Sequence, residues 1–199
     1  MIERVVNHDH PRLPAILDEA LETGKTIIFP TDTIYGIGGN PWDQRTLTRV
    51  RTLKHRDESQ PFTLHLANVE SIAAYALVTP RTEELVGRLL PGPYTVILPA
   101  LPAAPSSAVL KGGVGIRVPD HPLFSSTLTV LDRPVFGTSV NEHGQPPLTT
   151  ADEIIERFGG SVDLIISGPT TSQPSSIIDL CGETPRALRG ELPPFLMED

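Results

Sequence analysis

The sequence predicts an α/β fold, a mixed twisted sheet with flanking helices. Two features predict it. Short apolar runs of strand length alternate with stretches of helical spacing along the whole chain. No shift in composition marks a boundary, so residues 1–199 read as a single domain. Prolines number 21 and are scattered, which reads as many fixed turns and not a disordered tract.

The elements follow in order. Asp9 is a candidate cap for a first helix in which Leu13, Ile16, Leu17, Ala20 and Leu21 share one face, closed by Gly24. Thr26–Phe29 is a strand stopped by Pro30, and Thr31–Gly39 reads as a polar, glycine-rich turn. Asp43 caps a second helix with Leu47, Val50 and Leu53 on one face, ending near Lys54-His55-Arg56. A strand at Phe62–Leu66 precedes helical patterns at Val69–Leu77 and Pro80–Leu90. Pro91-Gly92-Pro93 breaks the chain before a strand at Tyr94–Leu98. Pro99–Gly113 reads as a mobile Pro/Ala/Ser loop. Then come a strand (Val114–Val118), a helix (Pro122–Leu131), a strand (Pro134–Thr138), a polar loop (Asn141–Thr149) and a helix (Ala151–Phe158). Strands at Asp163–Ile166, Ser176–Leu180 and Ala187–Arg189 complete the pattern, whose strand order the sequence leaves open.

At 199 residues, 39% hydrophobic and 20% charged, the chain buries roughly 70% of its unfolded surface and needs no staples. A net charge of −8 opposes whole-surface binding to nucleic acid, although a local basic pocket stays compatible with it. One cysteine, Cys181, excludes an intrachain disulfide. No apolar run is long enough for a signal peptide or a membrane span, and a cytoplasmic location is expected.

No phosphate-loop motif is present, and Gly36-Ile37-Gly38-Gly39 lacks the third glycine of a dinucleotide fingerprint. Gly112-Gly113-Val114-Gly115 reads as a bend entering a strand. Ser139 follows an apolar strand as a hydrolase nucleophile would, but Gly137-Thr138-Ser139-Val140-Asn141 lacks the second glycine of the elbow. Histidines 8, 10, 55, 65, 121 and 143 show no ligand spacing, and no metal site is expected. What remains is polar residues at strand ends: Thr31, Asp32, Thr33 and Tyr35; Lys54, Arg56, Gln60 and His65; Arg117; Ser139 and Asn141; Ser175, Ser176 and Asp179; and Arg189. Each has an ordinary alternative. Thr31–Thr33 is also a hydroxyl-stabilised turn, Lys54 and Arg56 a solvated helix end, and Arg117 a partner for a carboxylate such as Asp120.

Taken together these residues resemble a known family. Phe29-Pro30-Thr31-Asp32-Thr33-Ile34-Tyr35-Gly36-Ile37-Gly38, Lys54-His55-Arg56, Pro91-Gly92-Pro93-Tyr94-Thr95, Gly115-Ile116-Arg117-Val118-Pro119-Asp120-His121-Pro122, Ser139-Val140-Asn141, Ser175-Ser176-Ile177-Ile178-Asp179 and Leu188-Arg189-Gly190 follow, in order, the motifs of the YrdC/Sua5 proteins. The resemblance spans about residues 12–190 and is to the short form of that family. It implies a concave ligand pocket and threonylcarbamoyl-AMP synthesis from L-threonine, bicarbonate and ATP, with Mg2+ carried on the ATP. Partner proteins would complete the tRNA modification. By resemblance, Thr33, His65, Arg117, Ser139 and Ser175 hold threonine. Arg56, Gln60, Gly113, Asn141, Thr149 and Arg189 line the ATP side, and Lys54 and Arg56 stabilise phosphate charge. Phe62-Thr63-Leu64, Pro91-Gly92-Pro93-Tyr94 and Pro194-Phe195-Leu196 are similar to YciO-like relatives, so a paralogue of that branch is an alternative. A double-stranded RNA or tRNA-binding module is another, through Arg45, Arg49, Arg51, Lys54, His55 and Arg56.

Overall fold

A computed structural model describes residues 5–141 and 145–197; His143 and the first part of the polar loop after Asn141 lie outside them. Eleven strands form one mixed sheet: β1 (Val5–Asn7), β2 (Ile27–Phe29), β3 (Gly36–Gly39), β4 (Thr63–His65), β5 (Tyr94–Pro99), β6 (Val109–Leu110), β7 (Gly113–Arg117), β8 (Val135–Ser139), β9 (Leu164–Ser167), β10 (Ser176–Asp179) and β11 (Arg186–Arg189). Their spatial order is β1-β9-β2-β3-β8-β4-β7-β5-β10-β11, with β6 paired to β7 off that path. Parallel pairs (β1/β9, β2/β9, β4/β7, β5/β10) are interleaved with antiparallel ones, as expected of a mixed sheet.

The helices are α1 (Leu13–Glu22), α2 (Gln44–Lys54), α3 (Pro80–Leu89), α4 (Thr129–Leu131, continuing a wide π-type turn at Leu123–Leu128) and α5 (Ala151–Phe158). Asp43 caps α2 as predicted, its carboxylate accepting from the Thr46 amide at 2.9 Å. Asp9 does not cap α1. That helix starts after Arg12 with no side-chain cap and with Pro14 in its first turn, where the missing amide costs nothing. The helical pattern at 69–77 is only a short 3-10 turn, Glu70–Ala74.

Three strands escaped the sequence reading. β1 and β6 have three and two residues, too few to show alternation. β3, Gly36-Ile37-Gly38-Gly39, has the composition of a turn. It is instead a buried strand between β2 and β8, packed so closely that a Cβ on Gly38 would overlap the Phe136 carbonyl oxygen. The Pro99–Gly113 segment is not an open loop. It folds back through β6, the Ala100 amide donates to Gly112 O at 2.8 Å, and Ala104, Ala108 and Val109 pack into the core.

Pairing across the sheet assigns its two faces, since directly opposed residues share a side. Leu64, Ile116, Val96, Ile178 and Phe136 are linked by register, and all point to one face. The 3-10 turn and α3 cover that face at one end, and α2 and α5 cover it at the other. On the opposite face, α1 and the Leu123–Leu131 helix cover Phe29, Val135, Leu164 and Ile166. Beyond them, over β4, β7, β5 and β10, no helix among the described residues lies on the sheet, and this uncovered half is the floor of the cavity described next.

Candidate active site

The uncovered face carries the alternate residues of its strands: Thr63 and His65 on β4, Gly113, Gly115 and Arg117 on β7, Thr95 and Ile97 on β5, Ile177 and Asp179 on β10, and Gly137 and Ser139 on β8. Glycine at 113, 115 and 137 lowers the floor, and a cavity of about 920 Å³ stands over it. That is the scale of sites that enclose an organic ligand. A Cβ on Gly137 would press on the rings of Phe29 and His65, at 2.8 and 3.0 Å, so this part of the floor admits only hydrogen.

At one end Arg117 is 4% exposed. Its guanidinium pairs with Asp32 at 2.5 Å, and not with Asp120 as one reading of the sequence had it. Asp32 sits in the turn between β2 and β3, out of reach of any sequence-spacing rule. Arg117 Nε is buried and has no partner. Burial pulls the guanidinium pKa down and the Asp32 charge pulls it back up. Beside it, His65 is 5% exposed, and its Nδ1 lies 3.2 Å from Thr63 O. A carbonyl only accepts, so Nδ1 carries the proton and Nε2 is left as an acceptor. Burial, with the Arg117 charge, holds the His65 pKa down to about 3. The ring is therefore neutral in the folded protein at any ordinary pH. Because the folded pKa is depressed, this neutral histidine stabilises the fold fully above about pH 6.5, and the contribution is lost as pH falls toward 3. Urea denaturation between pH 4 and 7 is expected to show that loss, and His65→Gln to flatten it; an unchanged slope would refute the assignment.

Ser175 links the wall to the rim. Its hydroxyl lies 3.0 Å from Thr95 Oγ1, and Arg189 donates to its carbonyl at 2.9 Å and its hydroxyl at 3.1 Å. Arg56 enters from the end of α2, where His55 adopts the left-handed conformation and turns the chain. It donates to Pro61 O at 2.5 Å and Thr138 Oγ1 at 3.3 Å, and its Nε is buried without a partner.

Of the residues expected at the site, the cavity brings together Arg56, Gln60, His65, Gly113, Arg117, Ser139, Ser175 and Arg189. Four others do not line it. The Thr33 hydroxyl meets Thr31 Oγ1 at 3.0 Å inside the β2–β3 turn. The Lys54 ammonium, 5% exposed, donates to Ser139 O at 2.7 Å, Asn141 O at 2.9 Å and Asn141 Oδ1. That engages all three of its donors. Burial and then Arg56 lower its pKa to about 8, while the three acceptors favour the charged form. Asn141 also accepts from the Ser139 hydroxyl at 2.8 Å, so Ser139 engages an amide and not a base. Thr149 supplies its carbonyl to Thr170 Oγ1 at 3.2 Å. The sequence reading missed Lys111, Arg186 and Cys181, which also line the cavity. Lys111 sits at the tip of the β6–β7 hairpin and Arg186 opens β11. Among the described residues no group of three or more histidines, cysteines or carboxylates could hold a metal ion.

The Sua5/YciO/YrdC family profile, described as telomere recombination, matches residues 19–190. The chain belongs to this family. A Pyrococcus abyssi protein named threonylcarbamoyl-AMP synthase is 34% identical over 87% of the chain, which spans about half (52%) of that relative. An Enterobacter protein of the same name is 31% identical over 83% of the chain and 90% of its own length. The solved structure of P. abyssi Sua5 complexed with L-threonine superposes with a TM-score of 0.84 at 30% identity, covering 95% of this chain and 57% of that one. Escherichia coli YciO gives 0.84 at 29% identity, covering 93% of each chain. Both agree with the Sua5/YciO/YrdC fold that the motifs implied, a twisted mixed sheet with flanking helices.

Proposed function

We propose that this cavity joins L-threonine, bicarbonate and ATP into threonylcarbamoyl-AMP and pyrophosphate, the activated precursor of the t6A37 modification of tRNA. The observation that carries this reading is a cationic cavity in a chain of net charge −8. Arg56, Arg117, Arg189, Arg186 and Lys111 face a wall whose one carboxylate among the described residues is Asp179. Such a site fits substrates that are all anions or zwitterions.

The threonine amine attacks the bicarbonate carbon and water leaves, giving N-carboxythreonine. An oxygen of the new carboxylate attacks the α-phosphorus of ATP. The bond from that phosphorus to the bridging oxygen breaks, and pyrophosphate departs with the electron pair. Arg117 binds the amino-acid carboxylate, for which a guanidinium offers paired donors. The His65 Nε2 acceptor and the Ser175 hydroxyl lie at the same end. Arg56 bears on the phosphates, where catalysis rests on positioning and charge. Mg2+ arrives on the ATP, held by phosphates and water. The chemistry needs no covalent enzyme intermediate, in keeping with a Ser139 hydroxyl that donates to the Asn141 amide oxygen.

Use of ATP and a tRNA pathway puts the reaction in the cytoplasm, with further proteins transferring the product to tRNA. No helix among the described residues is long and apolar enough to cross a membrane. The RNA-binding alternative has less support. Arg45 pairs with Asp43, Arg49 with Asp163, and Arg51 donates to the Asp57 and Gln60 carbonyls, so the basic face of α2 is largely engaged within the chain. The YciO-like alternative rests on the likeness to E. coli YciO, whose TM-score of 0.84 equals that of P. abyssi Sua5 complexed with L-threonine.

Pyrophosphate release from MgATP in bicarbonate buffer, with L-threonine, with L-serine and with neither, decides between them. Threonine-dependent release is expected. None from folded protein would refute the synthase reading in favour of a YciO-like paralogue.

A further inference from the structure

Two of the five cations on the cavity wall have carboxylate partners: Arg117 with Asp32 at 2.5 Å, and Arg186 with Asp179 at 2.7 Å. Arg56, Arg189 and Lys111 have none among the described residues; the two arginines donate only to neutral oxygens. The Arg117–Asp32 pair is also the buried one, at 5% and 12% side-chain exposure, against 70% for Arg186.

Asp32 is held deliberately by its turn. The Thr31 hydroxyl accepts from the Thr33 amide at 3.2 Å and donates to Ile34 O at 2.7 Å. The Thr33 carbonyl accepts from the Thr171 amide and hydroxyl at 2.6 and 2.9 Å. The Thr31 hydroxyl and the Thr33 carbonyl thus fix the backbone on either side of the aspartate. Asp32 engages Arg117 through Nη2, and the buried Nε has no partner among the described residues.

We propose that Asp32 is a positioning residue that sorts two anionic substrates within one cavity: it orients Arg117 and offsets its charge, so that this end accepts the carboxylate of a zwitterionic amino acid and rejects phosphate. This rests on the synthase reading and deepens it. A dianion near the pair meets attraction from the guanidinium and repulsion from the carboxylate beside it. A zwitterion is held at its carboxylate, and its ammonium feels the Asp32 charge favourably. Polyphosphate then goes to the uncompensated Arg56 and Lys111, while Arg189 stands near the Arg117 end, donating to Ser175 and bearing on the Arg117 charge. Selection works by a repulsive element as much as by an attractive one.

Calorimetric titration with L-threonine, without nucleotide and with or without inorganic phosphate, tests this. Wild-type protein is expected to bind threonine with an affinity that millimolar phosphate leaves unchanged. In Asp32→Asn, similar in shape but uncharged, threonine affinity is expected to fall about tenfold, and phosphate to become a competitor for the same site. Asp32→Glu, which keeps the charge on a longer stem, is expected to go on excluding phosphate even where it weakens threonine. Unchanged binding in Asp32→Asn, or weaker binding without phosphate competition in a variant whose melting temperature is preserved, would overturn charge sorting. So would phosphate competition in Asp32→Glu. Wild-type protein that binds no threonine would instead sink the synthase reading itself.

Discussion

Arg56→Ala is expected to lower threonine-dependent pyrophosphate release by about 10²–10³-fold, the usual effect of removing one preorganised donor from developing charge. The stability cost should be small, because no carboxylate among the described residues relies on this guanidinium. Arg56 donates to one carbonyl and one hydroxyl, lies over the Phe62 ring at 5.3 Å, and keeps a buried Nε without a partner. Burial, and then the charge of Arg51, lower its pKa. Such a cation is incompletely satisfied until an anion arrives, and negative charge builds on the departing pyrophosphate as its bond to the α-phosphorus breaks. Loss should therefore appear in kcat more than in the KM for threonine. Arg56→Lys, which keeps a charge but not the planar fork, is expected to recover part of the rate. Near-normal kcat in a folded Arg56→Ala protein would remove Arg56 from this role.

The fold was legible where periodicity could speak. The buried residues Leu13, Leu17, Ala20 and Leu21 share a helical face, and α5 runs over the predicted 151–158. It was illegible where the sheet demands glycine, because close approach of β3 to β8 erases the apolar alternation that would mark a strand. The site follows the same division. Polar or small residues at alternate positions, as in Thr63-Leu64-His65 and Gly113-Val114-Gly115-Ile116-Arg117, betray a strand buried on one face and open on the other. Which carboxylate meets Arg117 was not legible, since Asp32 lies 85 positions away in the chain. Lys111 and Arg186 look like surface charges until the hairpin and β11 bring them to the rim.

The separation of Lys54 from Arg56 did have a sequence signal. Residues two apart on a helix do not share a face, and here the left-handed His55 intervenes as well. Lys54→Met tests the division of labour between them. It keeps most of the buried stem but removes the donor shared by Ser139 O, Asn141 O and Asn141 Oδ1. A buried acceptor that loses its donor costs about 1–3 kcal/mol; Asn141 Oδ1 keeps the Ser139 hydroxyl and water at the cavity edge relieves part of the rest, so a destabilisation of about 2–4 kcal/mol is expected from urea denaturation. Activity should fall as well, because Ser139 and Asn141 lose the cation that fixes their turn. Arg56→Ala should show the opposite balance, a large kinetic loss with little change in stability. A Lys54→Met protein as stable as the wild type but without turnover would reverse this assignment and return Lys54 to the phosphates. A loss of stability alongside reduced turnover would make it the post on which the Ser139–Asn141 turn is mounted.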